Sequence, residues 1–308
     1  MTAIYKSEEG ACAVQERYLK FLNRWPVPNR QLRIATSQGE TFIVASGDES
    51  APPLLLLHGS TANSVMWMGD ISAWSAHFRV YAIDLLGEPG QSAPVRLPLD
   101  SDAPVLWLDE VMQALALDRT SIIGMSLGGW LALDYATRRP ERIESLVVLC
   151  PAGVGRQKLN IDAEDIPLWP KNLPAEIPPA IKAFMDFMAL IHANFLPRRE
   201  ILPVFSDDAL RRLTMPVMAI VGAKDVLLDS AETKARLESA VPHADIRYLP
   251  EAGHLITRQT APILDFLNRQ RRRQSPEPPR NESATEQAHA HARPGEAPTA
   301  PAWQVQNS

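Results

Sequence analysis

Short runs of consecutive aliphatic residues recur along the chain, and each ends in a polar or glycine-containing turn. Uninterrupted runs of this length are typical of strands that are buried on both faces of a parallel sheet. Segments with apolar residues at every third or fourth position lie between these runs and predict amphipathic helices. The alternation favours an α/β fold with a doubly wound, mostly parallel sheet. The predicted buried strands are 53–57, 79–85, 120–123, 145–149, 216–221 and 246–249.

Two further elements are predicted before the first buried strand. Residues 14–25 carry apolar side chains at helical spacing and end before Pro26, which predicts an amphipathic helix used for packing. Residues 31–36 and 40–46 flank a Ser-Gln-Gly turn, and their alternating polarity predicts an antiparallel hairpin that leads into the sheet. The helices predicted between and after the buried strands are 64–75, 103–117, 129–138, 231–240 and 261–272.

The periodic pattern is lost after residue 150. Five prolines interrupt the chain between residues 167 and 179, and only 181–195 keeps a helical pattern. Because the closure entropy of a loop grows as the logarithm of its length, an insertion here costs on the order of a few kcal/mol. We therefore predict a core in two parts, 1–150 and 206–274, with a helical cap inserted at 151–205.

The end of the chain has a different composition from the rest. Residues 275–308 contain six prolines and almost no aliphatic side chains. Such a segment cannot bury enough apolar surface to offset the entropy that it would lose on ordering. We predict that it is a disordered tail.

Composition and charge exclude several classes of function. A net charge of −5 with acids and bases interspersed gives no basic face for nucleic acid. Cys12 and Cys150 are far apart and form no metal-type or disulfide-framework spacing, so we expect both to be reduced in a cytoplasmic protein. The N-terminus has no apolar signal-peptide core, and no run approaches the ~20 apolar residues of a membrane span. The sequence therefore predicts a soluble protein.

The chemistry centres on the stretch Gly124-Met125-Ser126-Leu127-Gly128. A β-branched run precedes it and a helical pattern follows it, so it is predicted to be a sharp turn between a strand and a helix. The flanking glycines allow the backbone to approach itself closely. This geometry would leave the hydroxyl of Ser126 exposed at the carboxyl end of the sheet.

An acid and a histidine follow Ser126 in the chain order that such a nucleophile requires. Asp225 comes after the strand at 216–221, and His254 comes after the last predicted strand, preceded by Ala-Gly. A serine hydroxyl is a weak nucleophile at neutral pH, and a hydrogen-bonded imidazole must take its proton during the attack. The order and placement predict a catalytic triad of Ser126, His254 and Asp225.

Over about 31–270, these motifs resemble the α/β-hydrolase superfamily, most closely its small bacterial carboxylesterases with a cap domain. The resemblance implies hydrolysis of a small-molecule carboxylic ester through an acyl-enzyme, with no metal or organic cofactor. It also implies an oxyanion hole formed by the backbone N–H groups of Ser60 and Leu127. The stretch 84–92 resembles the family's Asp-x-x-Gly-x-Gly-x-Ser turn with one additional residue, which affects the expected shape of the pocket wall. The residues expected to line the substrate pocket, unless they pack in the core, are Met125, Trp169, Met185 and Met188.

Two alternatives stay open from the sequence. Carbon-carbon hydrolases of ring-cleavage products share every motif described here, so a C-C hydrolase of the same fold is one alternative. The other is a hydrolase-fold receptor that binds a small molecule with little turnover. A serine nucleophile argues against haloalkane dehalogenases and epoxide hydrolases, which use an aspartate in this fold. The sequence does not distinguish a monomer from a dimer.

Overall fold

The computed structural model describes residues 4–158 and 176–274, and it confirms the predicted α/β architecture. The strands in these residues are β1 (Asn29–Thr36), β2 (Gly39–Ser46), β3 (Pro53–Leu57), β4 (Arg79–Ile83), β5 (Thr120–Met125), β6 (Ile143–Leu149), β7 (Val217–Gly222) and β8 (Asp245–Leu249). They form one sheet in the order β1-β2-β4-β3-β5-β6-β7-β8. β2 runs antiparallel to β1 and β4, and the remaining neighbours are parallel.

The α-helices of the described residues are α1 (Glu8–Leu22), α2 (Ile71–Ser75), α3 (Ala103–Ala114), α4 (Leu127–Arg138), α5 (Pro179–Asn194), α6 (Asp207–Leu210), α7 (Ser230–Ala240) and α8 (Thr260–Gln274). The single helix predicted at 64–75 is wrong. A 3-10 helix, Ser64–Trp67, and the short α2 replace it. Gly69 lies between them, where its low helix propensity favours a break.

Helix α1 begins six residues earlier than the apolar pattern predicted. The hydroxyl of Ser7 accepts a hydrogen bond of 3.0 Å from the N–H of Gly10 and caps the helix. Glu8 and Glu9 occupy the first turn, where negative charge interacts favourably with the helix dipole. The start of the helix is therefore set by polar capping residues, which an apolar periodicity does not reveal.

The strands of the sheet divide their side chains between two hydrophobic clusters. Alternate residues of one strand, such as Leu54 and Leu55 of β3, belong to different clusters because successive side chains point to opposite faces. Residues of α3, α4 and α7 pack in the cluster on one face, and residues of α1, α2, α5 and α8 pack in the cluster on the other. The sheet is thus covered on both faces, as a doubly wound fold requires.

The parallel register brings the ends of the central strands to one edge of the sheet. Leu57 of β3 pairs with Gly124 of β5, Met125 pairs with Leu149 of β6, and Leu149 pairs with Ile220 of β7. Ligands of open α/β sheets bind outside the carboxyl ends of the strands. The loops that follow β3, β4, β5, β7 and β8 all begin at this edge.

The chain divides into two compact units, Met1–Gln270 and Arg271–Ser308. The sheet and both clusters lie in the first unit, and of the second the structure describes only 271–274, which end α8. The predicted tail, 275–308, and residues 159–175 of the predicted cap lie outside the described residues. Within the described residues, every helix is too short or too polar to cross a bilayer.

Candidate active site

Ser126 lies at a sharp turn between β5 and α4. Its backbone has φ +52° and ψ −110°, a strained conformation for a residue with a side chain. A Cβ atom on Gly124 would lie 2.4 Å from the carbonyl oxygen of Gly128, and a Cβ on Gly128 would lie 2.1 Å from that of Leu57. Only glycine fits at these two positions, so the predicted strand, turn and helix are present.

The loops after β7 and β8 pass in close contact. A Cβ atom on Gly222 would lie 2.2 Å from the carbonyl oxygen of Gly253, and the N–H of Lys224 donates to the carbonyl of Ala252 at 2.8 Å. This approach holds the segment that carries Asp225 beside the segment that carries His254.

The three residues predicted to form a triad are brought together in one series of hydrogen bonds. Nδ1 of His254 lies 2.8 Å from Oδ2 of Asp225, and Nε2 of His254 lies 3.0 Å from Oγ of Ser126. Asp225 is buried, whereas Ser126 and His254 are partly exposed. Ser126 and His254 are therefore within the hydrogen-bond distance that a nucleophile and a general base need, and Asp225 contacts the other nitrogen of the imidazole.

The charge of Asp225 determines the tautomer of His254. Burial raises the pKa of Asp225, but hydrogen bonding to His254 and to the N–H groups of Leu227 and Leu228 outweighs it, so the net pKa lies below its usual value. An ionised Asp225 can only accept, so Nδ1 of His254 carries the proton. Nε2 is then free to accept from the hydroxyl of Ser126.

A second acid follows β7 but lies elsewhere. The carboxylate of Asp229 accepts from the N–H of Glu232 at 2.9 Å and caps the first turn of α7. Its side chain is thus used to start a helix, and among the two acids of this loop it is Asp225 that contacts His254.

The loop after β3 lies beside Ser126. A Cβ atom placed on Gly59 would lie 3.5 Å from Cβ of Ser126. His58 is buried, and its Nε2 accepts from the N–H of Leu85 at 2.9 Å, so Nδ1 carries the proton that is shared with the carbonyl of Gly59. The ring of His58 thus connects the loop after β3 to the loop after β4.

The two predicted oxyanion donors each adjoin a residue of this region: Ser60 is next to Gly59, and Leu127 is next to Ser126. Ser60 follows Gly59, and Leu127 is the first residue of α4, where helix geometry leaves an N–H without an intrahelical acceptor. The dipole of α4 favours negative charge at the same end. Both amides stay candidates for the oxyanion hole.

The loop 84–92 after β4 is fixed by a network around Asp84. The buried carboxylate of Asp84 accepts from the hydroxyl of Tyr18 at 2.8 Å, from the N–H and hydroxyl of Ser64 at 2.9 and 2.7 Å, and from the N–H of Gln91 at 2.7 Å. Ser92 donates to the carbonyl of Asp84 at 2.6 Å. The two ends of the loop are therefore held together.

The same loop buries Glu88, which sequence reasoning missed. Its Oε2 accepts from the N–H of Thr61 at 2.6 Å and from the hydroxyl of Ser60 at 3.3 Å. Burial raises its pKa to about 7, although the contact with Thr61 and the charges of Arg198 and Arg96 oppose the rise. The available signal was an acid in the turn with the additional residue.

Comparisons with known proteins agree with this fold. Residues 54–266 match the alpha/beta hydrolase family. The chain belongs to that family. It is 29% identical over 264 residues to an uncharacterized carboxylesterase, nap, of Bacillus subtilis, covering 79% of this chain and 86% of the relative. The carboxylesterase YbfK of the same organism is 27% identical over 271 residues, covering 82% of this chain and 91% of the relative.

This hydrolase is also similar to solved structures of carboxylesterases. The crystal structure of carboxylesterase CesB (YbfK) from Bacillus subtilis has a TM-score of 0.73 at 25% identity and covers 84% of this chain and 98% of that one. The crystal structure of naproxen esterase from Bacillus subtilis has a TM-score of 0.69 at 25% identity and covers 86% and 99%. Both the α/β-hydrolase fold and the resemblance to small bacterial carboxylesterases are confirmed.

The predicted pocket residues of the hydrolase lie in different surroundings. Met125 is buried in the hydrophobic cluster that also contains residues of α1 and α5. Met185 and Met188 are partly buried on α5, and Met188 packs against the same cluster. Trp169 lies outside the described residues. A substrate pocket lined by these residues stays a prediction.

Cys150 lies beside the acid and the base. Its sulfur, a carboxylate oxygen of Asp225 and a nitrogen of His254 lie within 4.8 Å of one another, which is the spacing of potential metal ligands. The acid and the base are already hydrogen-bonded to each other. Burial and the charge of Asp225 raise the pKa of the Cys150 thiol, which disfavours the thiolate that binds metals. The arrangement therefore fits proton transfer better than metal binding.

Proposed function

We propose that the hydrolase cleaves carboxylic esters through an acyl-enzyme formed on Ser126. The observation that carries the proposal is the series of hydrogen bonds, 3.0 and 2.8 Å long, from Ser126 through His254 to Asp225 at a strained turn. The relatives that are named carboxylesterases support a carboxylic ester as the substrate class.

In the proposed reaction, Nε2 of His254 takes the proton of Ser126 as Oγ attacks the carbonyl carbon of the ester. The N–H groups of Ser60 and Leu127 stabilise the oxyanion of the tetrahedral intermediate. His254 then gives its proton to the alcohol as the C–O bond breaks, which leaves the acyl group on Ser126. A water molecule then gives a proton to His254 as its oxygen attacks the acyl carbon. His254 returns this proton to Oγ of Ser126 as the bond between Oγ and the acyl carbon breaks, and the acid is released.

Asp225 acts on this reaction through His254. Its carboxylate stays ionised because its low pKa is maintained by the hydrogen bonds that it accepts. It fixes the imidazole in the tautomer that can accept the serine proton, and it stabilises the imidazolium that forms.

We further propose that 151–205 form a cap beside this site. The insertion begins directly after β6, and the N–H of Ser126 donates to the carbonyl of Leu149, the last residue of β6, at 2.9 Å. The inserted α5 packs on α1, with the ring of Phe187 5.0 Å from that of Phe21. A segment that leaves the core next to the nucleophile is well placed to determine substrate shape.

Labelling with a fluorophosphonate probe, followed by assays on nitrophenyl esters of graded acyl length, tests the proposal. We expect the probe to label Ser126 and the Ser126→Ala variant to lose a factor on the order of 10⁶ in kcat, because the bond-forming atom is gone. Circular dichroism of the same variant checks that the fold is retained. Retention of most esterase activity by pure Ser126→Ala protein would refute the proposal.

The same assays separate the alternatives that the sequence leaves open. Faster cleavage of a ring-cleavage dienone than of any ester would identify a C-C hydrolase. Labelling of Ser126 without measurable turnover of any ester would favour a small-molecule receptor.

A further inference from the structure

Thr61 is held in an unusual backbone conformation directly after the proposed oxyanion donor Ser60. Its φ is +59°, in the left-handed region that β-branched residues rarely adopt. Such a conformation costs on the order of 1–3 kcal/mol and persists only where the surrounding contacts enforce it. Its N–H donates to Oε2 of Glu88 at 2.6 Å, a short bond to an acceptor that is fully buried.

Glu88 contacts two consecutive residues of the loop with one oxygen. Besides the N–H of Thr61, Oε2 accepts the hydroxyl of Ser60 at 3.3 Å. Its other oxygen, Oε1, lies 3.8 Å from Nε of Arg198, a side chain that is 7% exposed. Arg198 is itself fixed, because both of its terminal nitrogens lie 3.3 Å from the carbonyl of Leu97.

We propose that Glu88 is a positioning residue for the oxyanion hole, a role that rests on the ester hydrolysis proposed above. By accepting from the N–H of Thr61 and the hydroxyl of Ser60, Glu88 fixes the peptide that joins Ser60 to Thr61 and the side chain of Ser60. Through the Cα of Ser60, these contacts restrain the neighbouring peptide that joins Gly59 to Ser60. The N–H of that peptide is the proposed oxyanion donor. Arg198 fixes Glu88 from the opposite side, so the loop is fixed by a buried ion pair and not by its own residues alone.

The distance requirement of an oxyanion hole explains why such a residue matters. Donors stabilise the transition state when they lie about 2.7–3.1 Å from the position that the oxyanion will occupy, and loss of one donor lowers kcat by about 10²–10³. A donor that is only misplaced loses part of this effect. The negative charge is absent from the bound substrate and forms only in the transition state. A misplaced donor should therefore lower kcat and change KM little.

The experiment compares Glu88→Gln and Glu88→Ala with the unchanged protein. Glutamine keeps the shape and an acceptor for Thr61 but removes the charge that pairs with Arg198, whereas alanine removes both. We expect kcat for a nitrophenyl ester to fall by about 3- to 10-fold in the glutamine variant and by about 10- to 100-fold in the alanine variant. KM should stay within about threefold in both.

Inhibition by an aryl trifluoromethyl ketone distinguishes a positioning role from a purely structural one. The adduct of this ketone with Ser126 carries an oxyanion in the proposed hole, so the inhibition constant should rise in proportion to the loss of kcat. The matched control is Asp134→Asn, since Asp134 is also buried and paired with an arginine, Arg138, at 3.0 Å. It lies in the second half of α4, and its substitution should change the melting temperature but leave kcat unchanged.

Failure of this inference is distinguishable from failure of the proposed function. If the unchanged protein neither reacts with fluorophosphonate nor hydrolyses esters, the proposed function is wrong and the positioning role with it. If it does both and the Glu88→Gln and Glu88→Ala variants keep the kcat and inhibition constant of the unchanged protein, Glu88 has no positioning role. An equal loss of kcat in Asp134→Asn would also overturn the inference, because general loosening would then explain the effect.

Discussion

Two loops at the carboxyl edge of the sheet bury acids whose pKa values shift in opposite directions: Asp225 in the loop after β7 and Glu88 in the loop after β4. In the strand order, β4 lies two strands from β5 on one side and β7 two strands from it on the other. Asp225, after β7, is 2% exposed, and Glu88, after β4, is 0% exposed. The pKa of Asp225 lies below its usual value, whereas that of Glu88 is raised to about 7.

The two carboxylates differ in the hydrogen bonds that they accept, and this difference contributes to the opposite pKa shifts. Oδ1 of Asp225 takes two backbone N–H groups and Oδ2 contacts His254, so both oxygens are hydrogen-bonded. Oε2 of Glu88 takes two donors, but its Oε1 has only the ion pair with Arg198 at 3.8 Å and no hydrogen bond among the described residues. Deeper burial and fewer donors therefore raise the pKa of Glu88, whereas the pKa of Asp225 stays below its usual value.

The largest expected effect comes from removing the charge of Asp225 in the loop after β7. Asp225→Asn keeps the shape but favours the imidazole tautomer with a protonated Nε2, which cannot accept from Ser126. We expect a loss of roughly 10⁴ in kcat, measured with a nitrophenyl ester. A kcat within tenfold of the unchanged protein would contradict the assignment of Asp225 as the triad acid.

A smaller effect is expected from Glu88 in the loop after β4. Its titration should make the free energy of unfolding depend on pH. The pKa of Glu88 rises from 4.5 to about 7 on folding, so between these values the folded state keeps a proton that the unfolded state has released. The free energy of unfolding should therefore fall as the pH rises from about 4.5 to about 7, by about 3 kcal/mol in total.

Urea unfolding at pH 5 and pH 8 measures this dependence, with Glu88→Gln as the comparison. Asp134, whose pKa is raised to about 6, titrates in the same direction in both proteins and cancels from the difference. The glutamine variant should lose the contribution of Glu88. An identical pH dependence in the two proteins would show that Glu88 does not change its proton occupancy on folding.

The smallest effect is expected at Asp229, which shares the loop of Asp225 but caps α7. Asp229→Asn weakens a cap that accepts from Glu232, and should lower the free energy of unfolding by about 1 kcal/mol at most, with little change in kcat. Kinetics and urea unfolding of the purified variant check both values. A large rate loss here, with only a stability loss in Asp225→Asn, would reverse the roles of the two acids.

The sequence predicts the central sheet and the meeting of three side chains well because both depend on local patterns. Buried strands appear as aliphatic runs, and the position of Ser126, Asp225 and His254 after such runs places them at one edge. The short helices are predicted less well. The 3-10 helix at Ser64–Trp67 is fixed by long-range contacts, among them the bonds from Ser64 to Asp84.

Glu88 could not be placed from the sequence for the same reason. An acid in a polar turn normally lies in solvent. The additional residue in this turn draws attention to the position but does not show that its acid is fully buried. Its partners Thr61 and Arg198 lie 27 residues before it and 110 residues after it, so the contacts form only when three separate loops meet. The pKa of Asp225 likewise depends on backbone donors that no periodicity encodes.

The ion pair between Arg198 and Glu88 limits where a segment of this chain can be exchanged for that of a relative. Exchange of a cap between relatives is an attractive route to new substrate ranges, and the proposed cap, 151–205, would be the segment to exchange. Arg198 lies inside that segment, and its counterion belongs to the core. A graft that ends at residue 195 keeps Arg198 with the recipient, whereas one that ends at residue 205 removes one of the two positive charges that face Glu88. The shorter segment is the one that we expect to leave the pair of Arg198 and Glu88 intact.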